Sequence, residues 1–530
     1  SELLQKTIWR MEMEKYLLDR LMEYGESDAY PFHMPGHKRR TDSGFAENFP
    51  NPFSMDITEI GGFDNLHHPE GVLKESMEWA GKVYGADRTY YLVNGSSCGI
   101  LSAICGSVSH GGTILMSRNC HKSAYHGVFF SHLKAEYIYP QTIPGFGIQG
   151  GLAPEDVRRM LINHPETEAV LVVSPTYDGI VSDIEAIAGI VHERGIPLIV
   201  DEAHGAHFPF GKEAGFPVSA LGLGADVVIQ SLHKTLPSLT QTAVMHVKAG
   251  FADLDRIDRY AHMFQSSSPS YVLMASIENC IRWMDEAGRH EMMAFGGRLD
   301  RIRQQLMEME CLTLVDGVKG RCHVFDVDRS KIVVSVGKSG LTGPELQDRL
   351  RREYRLEMEM CGPDYVTAIT TVADTDEGLE RLCRAFMEID LDRKRSAEGC
   401  ENSAGSCVGR NGDNAGERSS GIVDNGMEKE RVCGWPEIAM TIAQAMDAPG
   451  QPVPLDDCEG LVSKEFIYIY PPGIPIVAPG EVLKPELVDE IRKYKRKGLP
   501  VQGTADPEVE AVLTVADREN MVNETGKIEG

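Results

Sequence analysis

The stretch Ala225-Asp-Val-Val-Ile-Gln-Ser-Leu-His-Lys234 joins an apolar, β-branched run to a basic residue. A second run of the same kind, Ile196-Pro-Leu-Ile-Val-Asp201, ends in an acid 33 residues before Lys234. Short runs of Val and Ile predict strands that are buried on both faces, as in parallel sheets. The sequence therefore places a lysine just beyond one buried strand and an aspartate at the end of another.

These two side chains have the chemistry that pyridoxal phosphate (PLP) requires. The amine of Lys234 can condense with the aldehyde of the cofactor. The carboxylate of Asp201 can keep the pyridine nitrogen protonated, so that the ring accepts electrons. Ser231 and His233 are close enough to Lys234 in sequence to reach the phosphate that anchors the cofactor. S-x-H-K alone is short enough to occur by chance, so the prediction of a PLP site also depends on the residues around it.

The chain from residue 90 to residue 247 alternates between strand-like and helix-like patterns. Predicted strands cover 90–93, 113–116, 135–139, 169–173, 196–200, 226–229 and 242–247. Predicted helices cover 98–108, 122–132, 154–163 and 183–194. This alternation is typical of an α/β fold with an open, mostly parallel sheet and helices on both faces. Ligands of such sheets bind beyond the carboxyl ends of strands, where Asn94, Asp201 and Lys234 fall.

The remaining composition predicts further domains, since 530 residues exceed one compact core. From residue 295 the pattern changes to α+β, with predicted helices at 295–309, 343–354 and 376–389 and a strand at 331–336. We predict an N-terminal arm with a helix at 7–24 and an active-site loop (1–70), a large PLP-binding domain (71–294) and an α+β small domain (295–394). We also predict a Gly-, Ser- and Asn-rich flexible insertion (395–432) and a C-terminal domain (433–530) with helices at 435–445 and 484–497.

Two serine-rich segments are candidates for holding phosphate. Asn94-Gly-Ser-Ser-Cys-Gly99 closes a predicted strand and opens a helix, so the hydroxyls of Ser96 and Ser97 and the free N–H groups can bind an anion. The alternative interpretation is a capped helix start. Ser267 and Ser268 lie in a second serine run, which a plain loop explains equally well on sequence alone.

Three residues are candidates for contacting the cofactor ring or the substrate. His121 follows the predicted strand 113–116 and can stack on the ring, although a helix-capping or surface histidine is the alternative. Ala203 is small enough to lie beneath the ring, and His204 can face the substrate carboxylate or pack under the cofactor. A metal site formed by Asp201, His204 and His207 is a weaker hypothesis, because Lys234 explains the acid without a metal.

The composition also bears on location and partners. The net charge of −26 disfavours binding to nucleic acid. No apolar run reaches about 18 residues, so no membrane span is predicted. The 12 cysteines lack paired spacing, which favours the reducing cytoplasm. We therefore expect a cytoplasmic enzyme that binds neither nucleic acid nor membranes and holds no metal.

Several further motifs, taken together, carry a resemblance to a known family. They are F-H-M-P-G-H-K (32–38), D-x-T-E (56–59), N-G-S-S (94–97), R-N-C-H-K-S (118–123), D-E-A-H-G-A-H (201–207), S-x-H-K (231–234), S-S-P-S-Y (267–271) and Y-P-P-G-I-P with P-G-E (470–481). In this order they resemble the Orn/Lys/Arg decarboxylases, PLP enzymes of the aspartate-aminotransferase fold (fold type I). The chain looks like the short bacterial type without an N-terminal wing domain.

The resemblance implies decarboxylation of a basic amino acid to a polyamine-pathway amine and CO2, with arginine favoured over lysine or ornithine. It implies a homodimer or an assembly of dimers with sites at the subunit interface, where Ser267 or Ser268 would reach the phosphate in the other subunit. Glu465 would receive the distal cation of the substrate, and His33 and His37 would contact the substrate. Lys234 or a histidine would return a proton to the product.

Two alternatives remain open on the sequence. One is another fold-type-I enzyme, such as a decarboxylase of a different amino acid, an aminotransferase or a cysteine desulfurase. The other is a PLP-binding scaffold without catalysis, which the intact Lys234, Asp201 and His121 disfavour. Release of CO2 separates a decarboxylase from an aminotransferase or a cysteine desulfurase.

Overall fold

The computed structural model describes residues 17–404, apart from Ser43 and Asn48, and residues 436–516. The described chain begins in the helix Leu17–Glu26, so most of the helix predicted at 7–24 lies outside the described residues. None of the helices in these ranges is both long enough and apolar enough to cross a membrane.

Seven strands form the central sheet, which is mostly parallel as predicted. They are β1 (Arg88–Leu92), β2 (Thr113–Ser117), β3 (Lys134–Ile138), β4 (Thr167–Val173), β5 (Leu198–Asp201), β6 (Val227–Gln230) and β7 (Ala243–Val247). Their spatial order is β1-β7-β6-β5-β4-β2-β3, and only β7 runs antiparallel to its neighbours. All residues of β2, β5, β6 and β7 are buried, because helices cover both faces.

The alternation of side chains along the strands fills two cores, one on each face of the sheet. Ile199 of β5 packs into one core, and its neighbours Leu198 and Val200 pack into the other. The covering helices are Val72–Tyr84, Gly95–Ser107, Lys122–Phe130, Pro154–Asn163, Ile184–His192, Leu254–Met263 and Tyr271–Trp283. The helix Pro154–Asn163 has the predicted bounds, with proline at its first position and acids in its first turn.

The α+β region that follows contains a four-stranded antiparallel sheet. Its strands lie in the order Thr313–Leu314, Lys331–Ser335, Tyr365–Ile369 and Met360–Cys361. Its helices are Arg289–Leu306, Gly343–Tyr354 and Asp376–Ala404. The helix Gly343–Tyr354 has the predicted bounds because Thr342 and Glu345 form a capping box at its start.

The helix Asp376–Ala404 extends 15 residues beyond its predicted end at residue 389. It includes residues 395–404, where we predicted the start of a flexible insertion. The run Leu-Asp-Arg-Lys-Arg after Asp390 is rich in good helix formers, and Arg393 donates to the carbonyl oxygen of Ser339 (2.7 Å). Residues 405–432 of the predicted insertion lie outside the described residues.

The C-terminal region has its own small core. Strand Gly450–Pro454 pairs with Ala511–Val515, while Ile467–Ile469 lies between Ile474–Val477 and Val501–Gln502. The helix Pro485–Arg496 packs against these strands, close to the predicted 484–497.

The helix predicted at 435–445 is wrong for residues 436–441. The observed helix, Ile442–Asp447, begins later because Thr441 caps it, its hydroxyl accepting from the backbone N–H of Gln444.

The N-terminal arm contacts the α+β region through a short strand. Its strand Tyr30–Phe32 pairs in parallel with Leu356–Met358. Two further pairs of short strands join Thr142–Ile143 to Ile148–Gln149 and Ile180–Val181 to Asp326–Val327. The loop after the arm strand therefore lies between the small domain and the central sheet.

Candidate active site

Lys234 lies just beyond the carboxyl end of β6. A single helical turn, Leu232–Thr235, follows the strand and carries the lysine amine to within 3.1 Å of His204 Nε2. Burial lowers the pKa of Lys234, while the nearby carboxylates of Asp201 and Glu359 oppose that shift. A buried amine with a lowered pKa is suited to nucleophilic attack.

Asp201 is the last residue of β5, the neighbour of β6. It pairs with Ile229 in the parallel register, so the two strand ends predicted to carry chemistry are adjacent. Burial raises the pKa of Asp201, and the charge of Lys234 opposes the shift. The N–H of Ala203 donates to Asp201 Oδ1 (3.1 Å). The structure therefore brings the predicted lysine and aspartate to one edge of the sheet.

His204 is buried between Lys234 and Tyr177. Its ring centroid lies 4.4 Å from that of Tyr177, and its Nδ1 atom is buried without a hydrogen-bond partner among the described residues. Burial, reinforced by the charge of Lys234, holds the pKa of His204 well below its usual range. The imidazole is therefore neutral and can exchange a proton with the lysine amine.

His207 has a different partner. Its Nε2 atom lies 3.2 Å from Asp328 Oδ1, and Asp328 also binds the buried ammonium of Lys331 (2.9 Å). Asp201, His204 and His207 thus have different partners. Among the described residues, no group of three or more His, Cys, Asp or Glu side chains is arranged to hold a metal ion.

The predicted phosphate-binding residues lie at the carboxyl ends of β1 and β6. Ser231 Oγ donates to Ser96 Oγ (2.8 Å), which joins the two segments at the start of helix Gly95–Ser107. Ser97 is exposed at the same helix end. His233 is held by a contact of 2.8 Å between its Nδ1 atom and the carbonyl oxygen of Thr242. These hydroxyls and the free N–H groups of the first helical turn can bind an anion.

His121 is the N-cap of helix Lys122–Phe130, and its Nδ1 atom accepts from the N–H of Ser123 (3.2 Å). Burial lowers the pKa of His121 to about 3, and the charge of Lys234 contributes to the shift. The ring is thus neutral and near Lys234. The capping role that we gave as the alternative is also observed.

A turn of the C-terminal domain covers His121. Gly473 has a φ of +83°, and a Cβ atom added there would lie 3.3 Å from His121 Nε2. A buried ion pair between Arg118 and Glu481 (3.0 Å) holds this turn, and Arg118 also donates to the carbonyl oxygen of Pro475 (2.7 Å). The R-N-C-H-K-S and Y-P-P-G-I-P motifs are therefore in contact.

The loop at residues 32–38 contacts the lysine-bearing turn directly. The N–H of Gly36 donates to the carbonyl oxygen of His233 (2.7 Å). His33 Nε2 contacts the hydroxyl of Tyr24 (2.7 Å), and His37 Nδ1 accepts from the N–H of Arg39 (3.0 Å). These contacts lie within the arm and do not join either histidine to Lys234.

Among the described residues, Lys234 Nζ is hydrogen-bonded to His204 and not to the three other predicted residues, Glu465, Ser267 and Ser268. The carboxylate of Glu465 accepts from the backbone N–H groups of Ala505 (2.6 Å) and Leu513 (2.8 Å), so both of its oxygens hold the C-terminal domain together. Ser267 and Ser268 are exposed, which is compatible with the expected contact to a second subunit.

Models of known families match most of the chain. The model of the Orn/Lys/Arg decarboxylase major domain matches residues 16–335, and the model of the C-terminal domain of the same enzymes matches residues 426–495. This chain belongs to the Orn/Lys/Arg decarboxylase family. The resemblance drawn from the motifs is thereby confirmed.

The similarity to individual members of the family covers nearly the full length of both chains. The chain is 32% identical to an arginine decarboxylase of Halalkalibacterium halodurans, over 95% of this chain and 98% of the relative. It is 30% identical to an arginine decarboxylase of Bacillus subtilis, again over 95% and 98%. The fold is similar to that of the Francisella novicida lysine decarboxylase LdcF, with a TM-score of 0.68 at 19% identity, covering 97% of this chain and 83% of the other. The predicted fold type I is thus confirmed.

The family and its fold imply PLP, and the residues of this decarboxylase fit it. The buried amine of Lys234 and the buried carboxylate of Asp201 lie at neighbouring strand ends. The Ser96 and Ser231 hydroxyls meet at a helix start that can bind the phosphate. PLP needs such a combination: an amine for its aldehyde, an acid for its ring nitrogen and an anion-binding site for its phosphate.

Two residues near Lys234, Tyr177 and Glu359, were not predicted from the sequence. Tyr177 lies four residues beyond β4, at the sheet edge where ligands bind, and this position could have revealed it. Glu359 is an acid between two buried methionines in the run Leu356-Glu-Met-Glu-Met360, a pattern that indicates a buried carboxylate with a specific partner.

Proposed function

We propose that this chain decarboxylates a basic amino acid in a PLP-dependent reaction. Arginine is the preferred substrate in this proposal, with lysine and ornithine as the other candidates, and the products are CO2 and the polyamine-pathway amine. The observation that carries the proposal is the buried amine of Lys234, which lies next to Asp201 and 3.1 Å from His204. The preference for arginine rests on the names of the relatives that are 30–32% identical.

The residues of the site divide the chemistry among them. When bound, PLP supplies an aldehyde for the lysine amine and a ring that accepts the electrons left behind when CO2 departs. Lys234 contributes the nucleophilic Nζ atom, and Asp201 would provide the negative charge for the ring nitrogen. Ser96, Ser97, Ser231 and His233 would hold the phosphate. His121 and Ala203 would contact the ring.

The final proton comes from the pair formed by Lys234 and His204. Their nitrogen atoms are 3.1 Å apart, and both groups have a pKa that burial holds below its usual value. The two atoms can therefore share one proton without a stable charge on the imidazole, and the lysine can deliver it to the substrate carbon.

We further propose that the enzyme acts in the cytoplasm as a homodimer or an assembly of dimers. The exposed Ser267 and Ser268 support this, since they are available to the phosphate site of a second subunit. The nine described cysteines carry free thiols, as is usual in a reducing compartment. Glu465, His33 and His37 stay proposed contacts of the substrate, and the carboxylate of Glu465 also accepts from two backbone N–H groups of its own domain.

The test is to measure CO2 and amine products by mass spectrometry after adding PLP and each common amino acid or ornithine. We expect agmatine from arginine, with cadaverine or putrescine as the products of lysine or ornithine. Lys234→Ala should remove the activity while leaving the protein folded. A normal spectrum of bound PLP without CO2 from any basic amino acid would contradict the proposal and indicate another PLP reaction.

A further inference from the structure

Glu359 joins three segments that surround Lys234. Its Oε1 atom accepts from the hydroxyl of Tyr177, which lies beyond β4, and its Oε2 atom accepts from the N–H of Met34 in the N-terminal loop (2.9 Å). Glu359 itself lies in the small domain between two short strands, and it is buried. A buried carboxylate whose two oxygens are both engaged is held in one orientation.

His204 lacks the anchor that orients most functional histidines. In such residues the second ring nitrogen usually bonds a carboxylate or carbonyl group. Here Nε2 faces Lys234 and Nδ1 is buried without a partner among the described residues. The ring instead packs on Tyr177, with the planes inclined by 53°. The orientation of His204 therefore depends on where Tyr177 is held.

We propose that Tyr177 and Glu359 are a pair of positioning residues for the reaction. Glu359 holds the hydroxyl of Tyr177, and the ring of Tyr177 holds His204 against the amine of Lys234. The inference rests on the proposed function, because it concerns the proton shared by His204 and Lys234. Neither Tyr177 nor Glu359 needs to touch the substrate.

Glu359 also acts on Lys234 through its charge. The charged groups that face the lysine are Asp201 from β5, Glu359 from the small domain and Lys331 from the small-domain sheet. The two carboxylates favour the ammonium form, and Lys331 disfavours it. Replacing Glu359 with a neutral residue therefore lowers the pH at which Lys234 becomes a free amine.

The first experiment compares Tyr177→Phe with Tyr365→Phe. Tyr365 is the comparison, since its buried ring carries a hydroxyl engaged with the half-buried carboxylate of Asp178, while the tyrosine that packs on His204 is Tyr177. Both variants lose one buried hydrogen bond and should lower the melting temperature by similar amounts. Only Tyr177→Phe should reduce kcat, by about 10- to 100-fold with little change in KM, because a displacement of about 1 Å costs a reaction that much.

The second experiment measures how fast the apoenzyme condenses with PLP as the pH changes, followed by absorbance without substrate. Glu359→Gln should move the midpoint of this profile to lower pH, because a charge that favours the ammonium form of Lys234 is removed. Glu202→Gln is the control. Glu202 is also buried, but it is bonded to Ser219, Ala220 and Gln230, so its replacement should leave the midpoint in place.

The double variant Tyr177→Phe/Glu359→Gln then tests whether the two residues act together. Its loss of kcat should be smaller than the product of the single losses, as for residues that act through one contact. Equal losses of kcat in Tyr177→Phe and Tyr365→Phe, or an unmoved midpoint in Glu359→Gln, would overturn the pairing alone. A wild-type chain that neither condenses with PLP nor releases CO2 would overturn the proposed function and the pairing with it.

Discussion

Replacing Gly36 with alanine tests how closely the N-terminal loop must approach the lysine-bearing turn. A Cβ atom at this position would lie 2.6 Å from the carbonyl oxygen of Leu236 and 2.9 Å from its nitrogen. Both atoms belong to the backbone, so neither can rotate away. Ordinary contact begins at 3.4 Å, and the two segments must therefore separate by about 0.8 Å, the difference between 3.4 Å and 2.6 Å.

This separation acts on the reaction through Lys234, which lies two residues before Leu236. The hydrogen bond between the N–H of Gly36 and the carbonyl oxygen of His233 (2.7 Å) lengthens as the segments move apart. A displacement of about 1 Å at a reacting group costs about 100-fold in rate, so we expect Gly36→Ala to lower kcat by about 10- to 100-fold.

The assay is steady-state release of CO2, with the melting temperature measured in parallel. Gly297→Ala is the control, because its added Cβ atom meets nothing within 4 Å and the residue is exposed in the helix Arg289–Leu306. That change should leave kcat unaltered and stabilise the helix by roughly 0.5–1 kcal/mol. Wild-type kcat and melting temperature in Gly36→Ala would refute the close contact on which the prediction rests.

Three further predictions address the site, the C-terminal contact and acid stability. Asp201→Ala should lower kcat by more than about 100-fold, because the reaction loses the negative charge of this carboxylate. The melting temperature should change little, because burial disfavours that charge in the folded protein. Glu481→Gln leaves the Arg118 guanidinium buried without its counter-charge. It should lower the free energy of unfolding, measured in urea, by about 3–5 kcal/mol. Adding Arg118→Met should recover part of this loss, because the unpaired charge is then removed. Burial lowers the pKa of His246 from 6.5 to about 3, so folding keeps its ring neutral and the stability it contributes is lost as the pH falls through 6.5 towards 3. His246→Gln should therefore make the unfolding free energy less dependent on pH between 6.5 and 4, and an unchanged slope in a urea titration series would contradict this.

Local patterns in the sequence predicted the elements that carry the site. The Val- and Ile-rich runs before Asp201 and Lys234 are strands because β-branched side chains pack well in a buried sheet. Their carboxyl ends meet because neighbouring parallel strands end at the same edge. The helix at residues 343–354 was also predictable, since a capping box at Thr342 marks its start.

Residue type alone does not say which of several possible partners a side chain contacts. Glu465 has the charge to bind a substrate cation, yet two backbone N–H groups of its own domain use the carboxylate. His33 and His37 likewise bond within the arm. Glu359 and Tyr177 were missed because they are 182 residues apart and show no shared pattern in the sequence.

The sequence by itself determined the strand ends at which the lysine, the aspartate and the serines of the proposed PLP site lie, because these depend on local periodicity and on the chemistry of single residues. Only the tertiary structure decided which distant groups support them. Arg118 meets Glu481 across 363 residues, and Gly36 meets Leu236 across about 200. Buried polar groups must find partners, and which partner each one finds depends on how remote segments pack together.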